Sequence, residues 1–259
     1  MGHRPLGPAA SLLAVAVCTL AGTVHATDLH VAVAANFSGP LQRLATLYEQ
    51  SRGTHLIISA GASGQLYTQI RQGAPFDVFL SADVDKPAQL EHQRLALDGT
   101  RCIYAIGTLV LWSPQAGTVD GAGEVLRSSR FHALAVADPQ TAPYGTAARQ
   151  VLTNLGLWDR LSQEHRIVTG ENIAQAWQFA STGSADMAFV ALSQVIDASG
   201  HIDGSSWQPP QGLYDPIEQS AVAIAGGAQA EAGRAFLTWL RTNADALNLI
   251  HAAGYRSAP

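Results

Sequence analysis

The strongest constraint in this chain is an alternation. Short β-rich runs are each followed by a turn of small, polar residues and then by a segment of helical period, and the cycle repeats. Leu29-His30-Val31-Ala32-Val33-Ala34 reads as a strand. Asn36-Phe37-Ser38-Gly39-Pro40 follows, with capping side chains and a proline suited to a first helical turn. Leu41, Leu44, Leu47 and Tyr48 then recur at helical spacing until Gly53 stops the helix. A strand over 56–59, the tight turn Gly61-Ala62-Ser63-Gly64, a helix over 66–71 and a strand over 77–80 continue the series. Strands that alternate with helices through short loops imply a parallel sheet covered on both faces, an α/β architecture.

The pattern then restarts. Strands are expected over 109–112, 133–136, 187–191 and 220–225, and helices over 144–155, 173–180, 230–241 and 245–253. No Pro/Ser-rich linker divides the two series, so they read as lobes joined by chain crossings rather than as tandem domains. The expected division is one lobe at 27–108 plus 217–259 and another at 109–216, each close to the ordinary size of a small domain. No internal repeat or low-complexity segment is visible.

Ahead of the first strand, Arg4 precedes an apolar stretch over 12–20 and then Val24-His25-Ala26. This is the pattern of a secretory signal peptide at 1–26, with an apolar part shorter than the roughly 20 residues of a membrane helix. Val17 before Cys18 is larger than the residue a lipid-attachment cysteine normally follows. Cleavage after Ala26 removes Arg4 and takes the formal net charge from −5 to −6. Such a surface argues against nucleic acid or anionic membrane as a partner, and Lys86 is the only lysine. Loss of Cys18 leaves Cys102 alone, so no internal disulfide is expected. Cys102-Ile103-Tyr104-Ala105-Ile106 is apolar enough for the thiol to act as a small buried hydrophobe.

Enzyme signatures are weak. Gly61-Ala62-Ser63-Gly64-Gln65 misses a nucleophile elbow at Gln65, where glycine is required, and no histidine partner for Ser63 can be picked from the sequence. A secreted α/β hydrolase using Ser63 is therefore a distant alternative. Neither a phosphate loop nor the dinucleotide glycine fingerprint is present. Histidines 30, 55, 92, 132, 165, 201 and 251 are isolated, without pairs at metal-ligand spacing. Asp138 and Glu171 suit turn and capping chemistry better than acid–base work. No catalytic residue, cofactor or directly coordinated metal is expected.

Four strand-to-helix turns remain, around Ala34–Ser38, Ser59–Gly64, Thr141–Gly145 and Thr169–Ile173. A helix start carries unpaired N–H groups and about half a positive charge, which suits an anion. In open α/β sheets, ligands bind beyond the carboxyl ends of the strands. Two such turns per lobe, facing across a cleft, would surround an anion with neutral donors.

Ala34-Ala35-Asn36-Phe37, Gly61-Ala62-Ser63-Gly64, Gly73-Ala74-Pro75-Phe76-Asp77-Val78-Phe79-Leu80-Ser81-Ala82-Asp83 and the run from Tyr104 to Trp112 closely resemble the periplasmic molybdate-binding proteins of ABC transporters. So do Asp138-Pro139 with Ala142-Pro143-Tyr144-Gly145, the Glu171-Asn172-Ile173 turn, and Ala188-Phe189-Val190-Ala191-Leu192-Ser193; the likeness runs in order through 29–255. The resemblance implies a two-lobed type II periplasmic-binding-protein fold, each lobe a mostly parallel sheet flanked by helices. It also implies a monomer in the periplasm that captures molybdate or tungstate as an oxyanion and delivers it to an inner-membrane permease with its cytoplasmic ATPase. Carried over by position, the ligand-binding residues are Ala35, Asn36, Ser63, Tyr144 and the backbone N–H of Ile173. Many members have serine where Asn36 stands, so the donor there is here an amide, and many have tyrosine where Ala191 stands with a small residue in place of Tyr144; this chain resembles the subgroup in which Tyr144 is the donor. Within the same binding class, sulfate is the alternative anion.

Intact-mass analysis of the exported protein should show loss of 26 residues, leaving 233, with no lipid. A lipid adduct at Cys18 would contradict this reading.

Overall fold

The computed structural model describes residues 1–3, 27–128 and 130–257. Most of the expected signal segment, with Cys18, lies outside the described residues. β1 (Thr27–Ala34) alternates its side chains between two interiors. Leu29, Val31 and Val33 pack on one side against Leu41, Leu44 and Tyr48 of α1 (Ser38–Arg52). Ala32 faces the opposite interior, with Leu66 and Ile70 of α2 (Ser63–Arg71). Each such buried aliphatic side chain contributes about 1.5–3 kcal/mol. α1 ends where Gly53 turns left-handed, at φ 67°, and returns its N–H to Glu49 O at 2.8 Å.

The first series continues through β2 (Thr54–Gly61), β3 (Val78–Leu80), α3 (Asp85–His92) and β4 (Cys102–Gly107). One residue, Thr108, separates β4 from β5 (Leu109–Ser113), which belongs to the other sheet. The second series is β6 (Leu134–Ala137), α4 (Pro143–Asn154), α5 (Trp158–Gln163), β7 (Ile167–Gly170), α6 (Ile173–Ser181), β8 (Met187–Ala191) and β9 (Ser205–Trp207). The chain then returns to the first sheet as β10 (Ile217–Ala223) and ends in α7 (Ala230–Thr242) and α8 (Ala244–Ala252).

The sheets share one plan, ordered β2-β1-β3-β10-β4 and β7-β6-β8-β5-β9. In each, the fourth strand alone runs against the other four: β10 pairs antiparallel with β3 and β4, and β5 with β8 and β9. The reversed strand of each sheet is the one reached by a crossing; the second sheet is built from the continuous run β5–β9, and the first from β1–β4 with the returning β10. This is the expected two-lobed α/β fold with mostly parallel sheets. The first sheet has separate cores on its two faces, and the second packs into a core that includes Phe189, Leu111 and Leu152.

β10 begins three residues before the start expected at 220, and this draws Gln219 into the strand as a fully buried side chain. β4 covers the stretch read only as apolar, and Cys102 within it is a free, buried thiol held above its usual pKa by burial. No described helix is long and apolar enough to cross a membrane.

Candidate functional site

The parallel register places the ends of β1 and β2 side by side, Ala34 opposite Gly61, and the ends of β6 and β7 likewise, Ala137 opposite Gly170. In each sheet the neighbouring strand ends therefore launch two helical segments from the same edge. The first is a 3-10 turn (Ala35–Phe37) leading into α1; the others are α2, α4 and α6. The two pairs of turns meet across the cleft. The Gly64 N–H donates to Thr141 O at 2.9 Å, and the Gln65 side-chain amide to Glu171 Oε1 at 2.8 Å.

Between the turns lies a small cavity lined by Ala35, Asn36, Ser63, Tyr144 and Ile173, with small neighbours from the same turns and Ala82. All five residues picked from the sequence thus come together. The lining contains no charged side chain. Among the described residues, the backbone N–H groups of Ser63, Tyr144 and Ile173, at the starts of α2, α4 and α6, have no partner outside those elements, whereas the pairing of β1 with β2 aims the Ala35 N–H at Gly61 O.

The side chains are oriented by their own partners. Ser63, 1% exposed, accepts from the Ala82 N–H at 3.0 Å, so its proton remains to be given elsewhere. Tyr144, also 1% exposed, accepts from Gln219 Nε2 at 3.2 Å. Burial holds the Tyr144 phenol well above its ordinary pKa, so it stays a protonated donor through the neutral range. Asn36 departs from the sequence expectation. Both N–H groups of its amide are spent, on Gln219 Oε1 and on the Tyr255 hydroxyl, each at 2.9 Å. The donor this residue offers the cavity is therefore its backbone N–H.

Other expectations resolve similarly. Asp138 takes a turn role, accepting from the Gln140 N–H at 2.9 Å and the Thr141 hydroxyl at 3.1 Å. The cap of α6 is Asn172, whose Oδ1 accepts from the N–H groups of Ala174 and Gln175 at 3.0 and 3.1 Å; Glu171 instead reaches across the cleft to Gln65. Lys86 pairs with Asp83 at 2.7 Å, outside the cavity lining. No histidine is among the hydrogen-bond partners of Ser63 in the described residues, and no group of three or more His, Cys, Asp or Glu there is placed to hold a metal.

Behind the cavity sits a buried polar cluster that sequence reasoning missed: Gln219, Tyr104 and Tyr255, joined to Asn36 and Tyr144. Gln219 stands between Glu218 and Ser220, so the sequence there reads as a polar stretch and gives no sign of a buried glutamine.

A family model described as bacterial extracellular solute-binding protein matches residues 29–256. The chain is 45% identical over 239 residues to the molybdate-binding protein ModA of Rhodobacter capsulatus, covering 92% of each. It is 43% identical over 244 residues to that of Azotobacter vinelandii, covering 94% of this chain and 96% of the relative. The solved structure of the Azotobacter vinelandii periplasmic molybdate-binding protein aligns at 44% identity with a TM-score of 0.87, covering 89% of this chain and 100% of that one.

Gly107 tests the packing behind the cavity. A Cβ there would stand 2.1 Å from Tyr144 Oη and 2.7 Å from Gln219 Nε2. Gly107→Ala should destabilise the fold by about 1–3 kcal/mol, as overpacking does, in denaturant titrations. Unchanged stability would show that Tyr144 is not seated against the crossing.

Proposed function

The chain belongs to the periplasmic molybdate-binding proteins, within the bacterial extracellular solute-binding family, and on that premise we propose that its cleft captures molybdate, and also tungstate, as a hydrogen-bonded oxyanion. It is a binding protein and not an enzyme. Its place is the periplasm, as the supply component of an ABC importer whose permease and ATPase receive the anion. We further propose export through a signal peptide at 1–26, a monomeric state, and lobes bounded at 27–108 plus 217–259 and 109–216.

One observation carries the reading: the starts of α2, α4 and α6 and the Ala35-Asn36 turn, with two hydroxyls, surround a cavity whose lining has no charged side chain. Molybdate at neutral pH is a fully deprotonated dianion and can only accept. Its site therefore needs donors alone, whereas protonated phosphate gains from a carboxylate that takes its proton. Fixed dipoles replace the anion's hydration without a counter-charge. The donors are proposed to come from the Ala35-Asn36 turn, the backbone N–H groups of Ser63 and Ile173, and the hydroxyls of Ser63 and Tyr144.

Ser63→Ala and Tyr144→Phe should each weaken molybdate binding by about ten- to a hundredfold, since a hydrogen bond to a charged group is worth roughly 1.5–3 kcal/mol. Ile173→Ala keeps its backbone N–H and should cost much less. Calorimetric titration of the three variants checks this, and wild-type affinity in Tyr144→Phe would remove Tyr144 from the site.

Selectivity follows from fixed geometry. Molybdate and tungstate are nearly equal in size, and sulfate is smaller, so sulfate cannot meet donors of both lobes at good distance together. A ligand a thousandfold above Kd stabilises the folded state by about 4 kcal/mol. Molybdate and tungstate should raise the melting temperature by several degrees, with sulfate and phosphate near zero at equal concentration. Equal shifts with sulfate would indicate a general sulfate-type binder, and no shift with any oxyanion would overturn the proposal.

A further inference from the structure

We infer that Gln219 is a positioning residue that sets the direction of the hydrogen bonds behind the cavity, so that Tyr144 presents its proton to the anion. The inference rests on the anion-binding reading of the cavity. It starts from an atom whose role is unambiguous, the backbone oxygen of Asn36, which can only accept. The Tyr255 and Ser193 hydroxyls each stand 2.9 Å from it and 2.9 Å from each other, so the Tyr255 proton goes to Asn36 O or to Ser193 Oγ. Having given its one proton, the Tyr255 oxygen receives an N–H of the Asn36 amide at 2.9 Å. The other N–H of that amide goes to Gln219 Oε1 at 2.9 Å, and the Tyr104 hydroxyl stands nearer to the same oxygen, at 2.9 Å, than to its other acceptor, Ser81 O, at 3.2 Å.

An amide with its oxygen end fixed has its NH2 end fixed. Gln219 Nε2 consequently donates to Tyr144 Oη at 3.2 Å. A phenol oxygen that receives an N–H directs its own proton elsewhere, and Tyr144 lines the cavity. Water does not compete for these groups, because Gln219 is 0%, Tyr144 1%, Asn36 2%, Tyr255 4% and Tyr104 5% exposed. Gly107 independently marks the arrangement, since its missing side chain is what lets Tyr144 Oη and Gln219 Nε2 lie against the crossing between the sheets. Gln219 belongs to β10, the returning strand, and so ties the Asn36 turn of one lobe to α4 of the other.

The test changes the polarity of one atom. In Gln219→Glu, an ionised carboxylate still accepts from Asn36 and Tyr104 but now also takes the Tyr144 proton, turning a lone pair toward the anion. Protonated, the same side chain can donate to Tyr144 again. Molybdate binding is measured for wild type, Tyr144→Phe, Gln219→Glu and the double variant, between about pH 6 and 9, a span wide enough to ionise a buried glutamate. Tyr144→Phe should cost about tenfold or more in the Gln219 protein at every pH. In the Gln219→Glu protein it should cost nothing at the alkaline end, with the cost returning as pH falls. Simple repulsion by the carboxylate would leave the Tyr144→Phe cost unchanged at all pH values, and that result would overturn the inference. Failure of wild type to bind molybdate would overturn the function reading itself and the inference with it. Neutron diffraction of molybdate-bound wild type covers the case in which the glutamate variant does not fold. A Tyr144 deuteron on the line to the anion supports the inference, and one on the line to Gln219 overturns it.

Discussion

A backbone N–H at the start of a helix has no partner inside that helix, and a buried one is costly unless something accepts from it. This chain gathers the helix starts at Ser63, Tyr144 and Ile173, with the Ala35-Asn36 turn, around one cavity. The rest of the structure is arranged around that constraint. Parallel pairing brings the ends of β1 and β2 level and the ends of β6 and β7 level, so that two helix starts point from each sheet toward the same space. Burial on both faces of the first sheet fixes those strand ends through Val31, Ala32 and Val33, and the donors inherit that rigidity.

The two crossings of the chain matter as well. β5 and β10 each run against the strands beside them and each is reached by a crossing, and the first sheet is completed by the returning β10. The buried cluster of Gln219, Asn36, Tyr104, Tyr144 and Tyr255 sits at this junction, beside Gly107. Its members satisfy one another, which leaves the cavity-facing donors uncommitted.

Much of this was legible before any coordinates. The period changes from two to 3.6 at Asn36, Ser63, Tyr144 and Ile173 mark helix starts, and small residues around them admit close approach of backbone. Local signals of that kind survive folding because they depend on near neighbours in sequence. Long-range pairing does not announce itself. Gln219 meets Asn36 across 183 residues of chain, and the strand reading began one residue after it. The Asn36 amide looked like a donor to the ligand because its real partners, Gln219 and Tyr255, are remote in sequence. Glu171 looked like a cap, yet Asn172 beside it has the geometry to cap and Glu171 pairs with Gln65 across the cleft. Short elements such as β7, β9 and α5 carry too few residues for periodicity to separate them from loops.

The central claim is that one oxyanion sits where the four helix starts converge and is held by neutral donors alone. Diffraction from crystals grown with molybdate, recorded at the molybdenum absorption edge, locates the metal atom without reference to any assumed pose. The account predicts a single anomalous peak in the cavity lined by Ala35, Asn36, Ser63, Tyr144 and Ile173, its oxygens about 3 Å from those donors, with no carboxylate, lysine or arginine in contact. A peak beside Lys86 or another charged side chain, or none in the cavity, would contradict it.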